Sequence, residues 1–218
     1  MTTPPKETAL EQRAAEGAKM YSPSAARNRD NIRDVFVQTM PREGEILEVG
    51  GGTGEHAVHL AAALPQVRWF TGDPDETARA SIAAWIADSK LDNLHGPHAI
   101  DVAADDWDAS LAAAYDGVVS INMIHIAPFI AAEGLFTGAG KLLRPGGKLF
   151  LYGPFSRIGV HTAPSNDAFE CSLKSRNPDW GVRDLENDIV PLARKNFLTL
   201  DQAVEMPANN FSVIFRKN

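Results

Sequence analysis

The sequence predicts an α/β fold: a mostly parallel seven-stranded sheet ending in an antiparallel C-terminal hairpin, with helices on both faces. Three observations predict it. Short apolar runs alternate with helical periods from residue 45 to residue 152, two strand-like runs around a four-residue link close the chain, and glycines at 50, 52 and 54 mark the first strand–helix junction.

Taken in order, residues 1–20 are polar and alanine-rich and predict a loose tail running into a helix, with a single domain over 21–218. From Ser24 a helical period places Ile32, Val35, Phe36 and Met40 on one side, and Pro41 ends it. Glu45–Val49 is a short buried strand and Glu55–Leu64 a helix. Val67–Thr71 is the second strand, followed by a helix over Pro74–Ser89 and a weaker strand ending at Ile100. Trp107–Ala114 predicts a helix, Gly117–Asn122 an apolar strand, Phe129–Leu143 a helix and Lys148–Tyr152 the fifth strand. Alternation of this kind makes parallel βαβ units covered on both faces. Residues 153–180 are rich in Pro, Ser and Asn with little period, and predict a cap segment on the substrate side. A helix over Val182–Lys195, interrupted by Pro191, precedes the runs Thr199–Met206 and Phe211–Arg216. The Pro-Ala-Asn-Asn link between them makes a hairpin. A parallel sheet finished this way is the Rossmann-like layout of class I methyltransferases, whereas a nicotinamide-binding sheet stays parallel throughout.

The segment EILEVGGGTGEHAVHL, residues 45–60, is the most informative. Glycines where a strand ends and a helix begins admit positive φ and let a ligand reach the backbone. Free N–H groups at the helix start favour anionic groups. Glu48, Gly50, Gly52 and Gly54 fit E-x-G-x-G-x-G, the pattern for S-adenosyl-L-methionine; Gly52, Gly54 and Ala57 also fit G-x-G-x-x-A, the dinucleotide variant. Asp73, 23 residues after Gly50, can accept both ribose hydroxyls of a nucleoside or cap the next helix, with Pro74 at its first position. Asp101 and the Val102 amide follow the third strand, where they contact an adenine or simply form a turn.

Composition narrows the partners. The net charge of −7 and the lack of a basic cluster beyond Arg27 and Arg29 disfavour nucleic acid and favour a small-molecule substrate. No apolar run approaches the roughly 18–20 residues of a membrane span, and the N-terminus lacks a signal-peptide core. Cys171 is the one cysteine, which excludes an internal disulfide and a multi-cysteine metal site and makes a cytoplasmic setting the default expectation.

Several long strings resemble those of small methyltransferase-like proteins of unassigned substrate, the group that includes methyltransferase-like protein 26. They are YSPSAARNRD (21–30), LEVGGGTGEHAVH (47–59), DPD (73–75), INMIHIAPF (121–129) and LYGPF (151–155), continued by HTAPSNDAFE (161–170), WGVRDLE (180–186) and EMPANN (205–210). The resemblance implies a class I methyltransferase fold with a cofactor site at Glu48, Gly50, Gly52, Asp73, Asp101 and Asn122. One departure is Gly51, where such proteins often carry serine.

Methyl transfer is an in-line displacement for which positioning alone can supply roughly 7–11 kcal/mol. Asn122 and His125 end the fourth strand beside the expected methyl position, and His125 is the first candidate for a general base. A structural histidine at the strand–helix corner is the competing role. His56 and His59 are helix neighbours without a third ligand, so no metal is expected. Tyr21, Arg27, Asn28 and Arg29 suit a lid, Arg29 pairing the methionine carboxylate and Tyr21 touching the reaction centre. Tyr152, His161, Ser165, Asn166 and Trp180 are candidate substrate contacts; of Asn209 and Asn210, one should serve the turn and one the pocket. The activity expected is methyl transfer to oxygen, sulfur or nitrogen of a small molecule. The alternatives are methylation of RNA or protein, an NAD-dependent oxidoreductase, and a non-catalytic S-adenosylmethionine-binding protein.

Overall fold

A computed structural model describes residues 13–109, 111 and 114–218. Part of the expected tail, residues 1–12, lies outside them. Residues 14–21 form an antiparallel hairpin, β1 (Ala14–Glu16) and β2 (Lys19–Tyr21), pairing Ala14 with Tyr21.

Helix α1 (Pro23–Thr39) starts where the sequence supplies both a cap and a first-turn proline: Ser22 Oγ accepts from Ala25 N–H, and Pro23 needs no donor there. Then come β3 (Gly44–Val49), α2 (Glu55–Ala63), β4 (Val67–Gly72), α3 (Glu76–Ser89) and β5 (Leu94–His98). The chain crosses back to β6 (Tyr115–Ile121), α4 (Phe129–Leu142) and β7 (Leu143–Gly153). It ends in β11 (Leu198–Met206) and β12 (Asn210–Lys217), joined by a turn at 207–209.

These strands form one sheet in the order β11-β12-β7-β6-β3-β4-β5. The strands from β7 to β5 are mutually parallel; β12 runs antiparallel to β7, and β11 to β12. The predicted fold class is the one observed. Both faces are buried, which is why the central strands read as continuous apolar runs. One face packs Leu47, Val118, Leu149, Leu151 and Phe215 against α4 and the segment around Leu185–Ala193. The other packs Ile46, Trp69, Val119, Phe150 and Ile214 against Phe36 of α1 and Leu60 of α2.

Three local expectations are corrected. The described residues between 102 and 111 form turns, not a helix; residues 110, 112 and 113 of the expected helix are outside the description. This stretch lies on glycines of α4: side chains at Gly134 and Gly138 would strike the Val102 carbonyl and the Trp107 ring, and Trp107 Nε1 donates to Gly134 O at 3.0 Å. Within 153–180, expected to be irregular, stand β8 (Phe155–Arg157), β9 (Val160–His161) and α5 (Pro164–Arg176). Helix α5 buries only Asn166 and Leu173, too few positions to leave an apolar period in the sequence. The helix expected over Val182–Lys195 is β10 (Arg183–Asp184), a π-turn at Leu185–Ile189 and a short α6 (Val190–Lys195). Pro191 sits in the first turn of α6, directly after the π-turn, where Val190 N–H still bonds the Leu185 carbonyl.

Candidate functional site

The sheet order reverses between β3 and β6, the position where open parallel sheets bind ligands outside the carboxyl ends of their strands. At the end of β3 the chain turns through Gly50 (φ 72°), Gly52 (φ 59°) and Gly54 (φ 92°). Gly52 has open space where a side chain would stand, so a ligand can lie against its backbone. Gly54 closes against α3: a Cβ there would be 3.0 Å from the Ile82 backbone.

Asp73 completes this half. Its Oδ2 accepts the Gly52 N–H at 3.0 Å and its Oδ1 the Asp75 N–H at 2.9 Å. The helix cap is Asp75, which accepts from Ala78 N–H at 2.8 Å, so Asp73 is left to the glycine turn. Burial pushes the Asp73 carboxyl up, opposed by those two backbone donors and by the charge of Arg13. A carboxylate has about four acceptor positions, so both oxygens retain capacity for hydroxyl donors.

Glu48 lies beneath the turn. Its Oε2 accepts from Thr71 Oγ1 at 2.7 Å and Trp69 Nε1 at 3.4 Å, and desolvation raises it to about 7. It supports the turn from the core side. Gly51 is packed against this pair: a Cβ would come 2.6 Å from Thr71 Oγ1 and 3.1 Å from Ile82. A serine at this position requires Thr71 to turn away. Past β5, Asp101 is exposed and accepts from Ala103 N–H at 3.0 Å, while Val102 is buried against α4.

The other half gathers at the ends of β6 and β7. Asn122 takes φ 62° and donates its N–H to the Tyr152 carbonyl at 2.7 Å, starting a tight turn to His125. His125 is 1% exposed and stands edge-on to Phe155. Burial, and then the Arg183 charge, lower it to about 3, so the ring is neutral. The Arg183 N–H points at Nδ1 from 3.4 Å, which places the ring proton on Nε2. Nε2 has no partner among the described residues and faces Gly153, where a Cβ would stand 2.5 Å away. This geometry suits a residue that fixes the Asn122–His125 turn better than one that removes a proton. Arg183 was not singled out from the sequence, although its string WGVRDLE was. It reaches the carbonyls of Ile124, Ala127 and Asp179 and locks the turn from the far side.

Tyr152 is buried, which raises its hydroxyl, and the Asn28 side chain hydrogen-bonds it. Asn28 Oδ1 also meets His56 Nε2 at 2.9 Å; burial, His59 and Arg29 lower His56 to about 4. Arg29 therefore stands beside α2, its Nε buried without a partner among the described residues. His59 pairs with Asp30 at 3.0 Å. Tyr21 bonds Glu16 at 3.2 Å and packs its ring on Trp85; no described contact joins it to His125.

The cap residues cluster as a third group. Asn166 Nδ2 donates to Asn209 O at 2.9 Å, and Asn209 Nδ2 to Ser165 Oγ at 3.0 Å. Asn210 bonds the carbonyls of Pro207 and Ala208, the turn role, so Asn209 is the one that ties the hairpin to α5. His161 meets Glu170 at 3.1 Å. Trp180 is buried, and Gly181 N–H donates to the His125 carbonyl at 3.0 Å, which joins the cap to the β6 turn.

Residues 19–217 match the family described as "Protein of unknown function (DUF938)". The chain belongs to this family. The DUF938 chain is also similar in structure to an O-methyltransferase family protein from Burkholderia thailandensis, with TM-score 0.75 and 15% identity over 89% of this chain and 57% of the other. An O-methyltransferase family 2 protein from Planctomyces limnophilus, solved with apigenin, gives TM-score 0.72 and 18% identity, covering 89% and 60%. Human N-acetylserotonin methyltransferase, solved with S-adenosylmethionine, gives 0.70 and 12%, covering 89% and 53%. These likenesses show the class I methyltransferase fold; the DUF938 chain spans little more than half the length of each neighbour. Among its described residues, no helix is long and apolar enough to cross a membrane.

Proposed function

We propose that the chain is an S-adenosylmethionine-dependent methyltransferase acting on a small molecule, with oxygen or sulfur as the preferred acceptor. The observation that carries this is the joined pair at the switch point: a glycine turn open above Gly52, hydrogen-bonded to an Asp73 with spare acceptor capacity. Asp73 would take the ribose hydroxyls, Asp101 and the Val102 amide the adenine, and Arg29 the amino-acid carboxylate. When bound, the cofactor supplies an electrophilic methyl group on a sulfonium. The protein's part would be to hold an acceptor in line, for which Asn122, Tyr152, Tyr21, His161, Asn166, Trp180 and Asn209 are the proposed contacts. In this proposal His125 is a neutral pin for the Asn122 turn, and no side chain is assigned as base. Small-molecule substrates are supported by the acidic charge and by the kind of neighbour the fold has. The strings shared with the group of methyltransferase-like protein 26 support placing the chain there.

Calorimetric titration with S-adenosylhomocysteine, using NAD as control, tests the proposal. Micromolar binding of the first and none of the second is expected. Binding of NAD alone would overturn it in favour of an oxidoreductase.

A further inference from the structure

Thr53, the residue with a side chain between Gly52 and Gly54, is held from both sides. Its Oγ1 donates to Glu55 Oε2 at 3.0 Å, and its carbonyl accepts from Ser81 Oγ at 2.7 Å. Both partners are buried, Glu55 in the first turn of α2 and Ser81 on α3. Each also takes a backbone donor from the N-terminal hairpin or the residue that follows it. Ser22 N–H reaches Glu55 Oε2 at 2.6 Å, and Met20 N–H reaches Ser81 Oγ at 2.8 Å. Two bridges of the same form thus join residues 20–22 to the middle of the glycine turn. The hairpin is fastened to α3 besides, on the face that carries Ser81, Trp85 and Asp88. Trp85 Nε1 donates to Met20 O at 3.0 Å, its ring centroid lies 5.2 Å from that of Tyr21, and Lys19 pairs with Asp88 at 2.6 Å.

We propose that Glu55 and Ser81 are positioning residues for the glycine turn, and that docking of the hairpin on them and binding of the cofactor at the turn favour each other. This rests on the methyltransferase reading above. Glycines at positive φ leave the turn many conformations when nothing holds it, and fixing them opposes binding. The clamp on Thr53 sets the conformation beforehand, next to the open space at Gly52. Ser81 Oγ accepts from the hairpin, so its single proton is committed to Thr53. When the hairpin lifts, Ser81 and Glu55 each lose a donor and are free to turn away from Thr53. Reciprocity follows: the factor by which hairpin docking raises ligand affinity is the factor by which the ligand favours docking.

The test measures both sides of that linkage on the full chain. S-adenosylhomocysteine is titrated into the wild type, Glu55→Ala, Glu55→Gln, Ser81→Ala and Thr53→Val, with melting curves alongside. Amide hydrogen exchange at Met20 and Ser22 is followed by NMR with and without saturating ligand. Glu55→Ala and Ser81→Ala should bind about 10-fold more weakly, the loss that corresponds to ordering one backbone residue. Glu55→Gln, whose amide oxygen still accepts both donors, should restore most of the affinity. Thr53→Val keeps the shape and the hairpin contacts but loses the Oγ1 bond; it should also bind more weakly, which keeps the test open if Glu55→Ala does not fold. In the wild type the ligand should slow exchange of both amides by a similar factor, about 10-fold, and in Thr53→Val the slowing at Ser22 should shrink. A clamp that is only structural would lower melting temperatures while affinity stays unchanged, or leave exchange at Met20 and Ser22 indifferent to ligand; either result overturns the inference. No binding to the wild-type chain would overturn it together with the methyltransferase reading, whereas wild-type binding without these effects overturns the inference alone.

Discussion

The two halves of the crevice are built on different length scales. Around β3 and β4 the partners are near in sequence: Gly52 with Asp73 is 21 residues apart and Thr71 with Glu48 is 23, and both Asp73 contacts are to backbone donors. Around β6 and β7 they are distant: His125 with Arg183 spans 58 residues and Asn166 with Asn209 spans 43. The first half is one βαβ unit whose turn creates the site. The second exists only after α5, β10 and the closing hairpin have docked, so its residues are specified by packing.

The sharpest way to separate the halves is Asp73→Ala. Losing an ionised acceptor for two hydroxyls should weaken S-adenosylhomocysteine by about 3–4 kcal/mol, roughly 100-fold or more, in a calorimetric titration. Equal affinity would show that the turn does not define the nucleoside site.

Acid stability compares the buried titratable groups of the halves. His125 and His56, lowered to about 3 and about 4, are uncharged when folded, so their stabilisation is complete above the unfolded histidine pKa and is lost as pH falls below it. Glu48, raised to about 7, acts oppositely: its contribution is complete below the unfolded carboxyl pKa and is lost as pH rises toward 7. Between about pH 4.5 and 6.5 these three groups bind two protons in the unfolded chain against one in the fold and so contribute a rise of about 1.4 kcal/mol per pH unit, to which His59, lowered by burial, adds and which Asp73, raised by burial, opposes. Glu48→Gln should steepen the measured slope by at most about 1.4 kcal/mol per unit in denaturant titrations, the one proton that Glu48 holds in the fold. An unchanged slope would mean Glu48 is ionised in the fold.

Gly153→Ala addresses the second half alone. The added methyl meets His125 Nε2, and overpacking of this kind costs typically 1–3 kcal/mol. Urea midpoints should drop while S-adenosylhomocysteine affinity stays near wild type; a matching loss of affinity would show that the halves are coupled. The smallest effect expected is for Asn28→Ala, about 1 kcal/mol of stability from the lost contacts to His56 and Tyr152, read as a shift in melting temperature.

The legible parts follow the same division. The glycine turn and the carboxylate after β4 could be read because each is a short-range demand on residue type: positive φ at Gly50 and Gly52, an acceptor facing the turn at Asp73. Even there Asp73 could be read as a ribose acceptor or as the cap of α3, and only the geometry shows that Asp75 takes the cap. His125 stood out as a titratable residue at a strand end, and its neutral, enclosed state depends on Phe155, Gly153 and Arg183, which the chain brings from elsewhere. Helix α5 escaped notice because it buries two side chains, and the described residues of 102–111 are turns that pack on glycines of α4, where backbone and an indole ring approach directly.

The sequence by itself determined the sheet, its closing hairpin and the glycine turn, because alternation of apolar runs, turn residues and backbone freedom act over a few residues. Tertiary structure alone decided which side chains turn inward at the ends of β6 and β7, that the hairpin at 14–21 is held against α3 and the start of α2, and where Arg183 reaches. Those outcomes follow from burial and from hydrogen bonds between segments tens of residues apart, which no local pattern encodes.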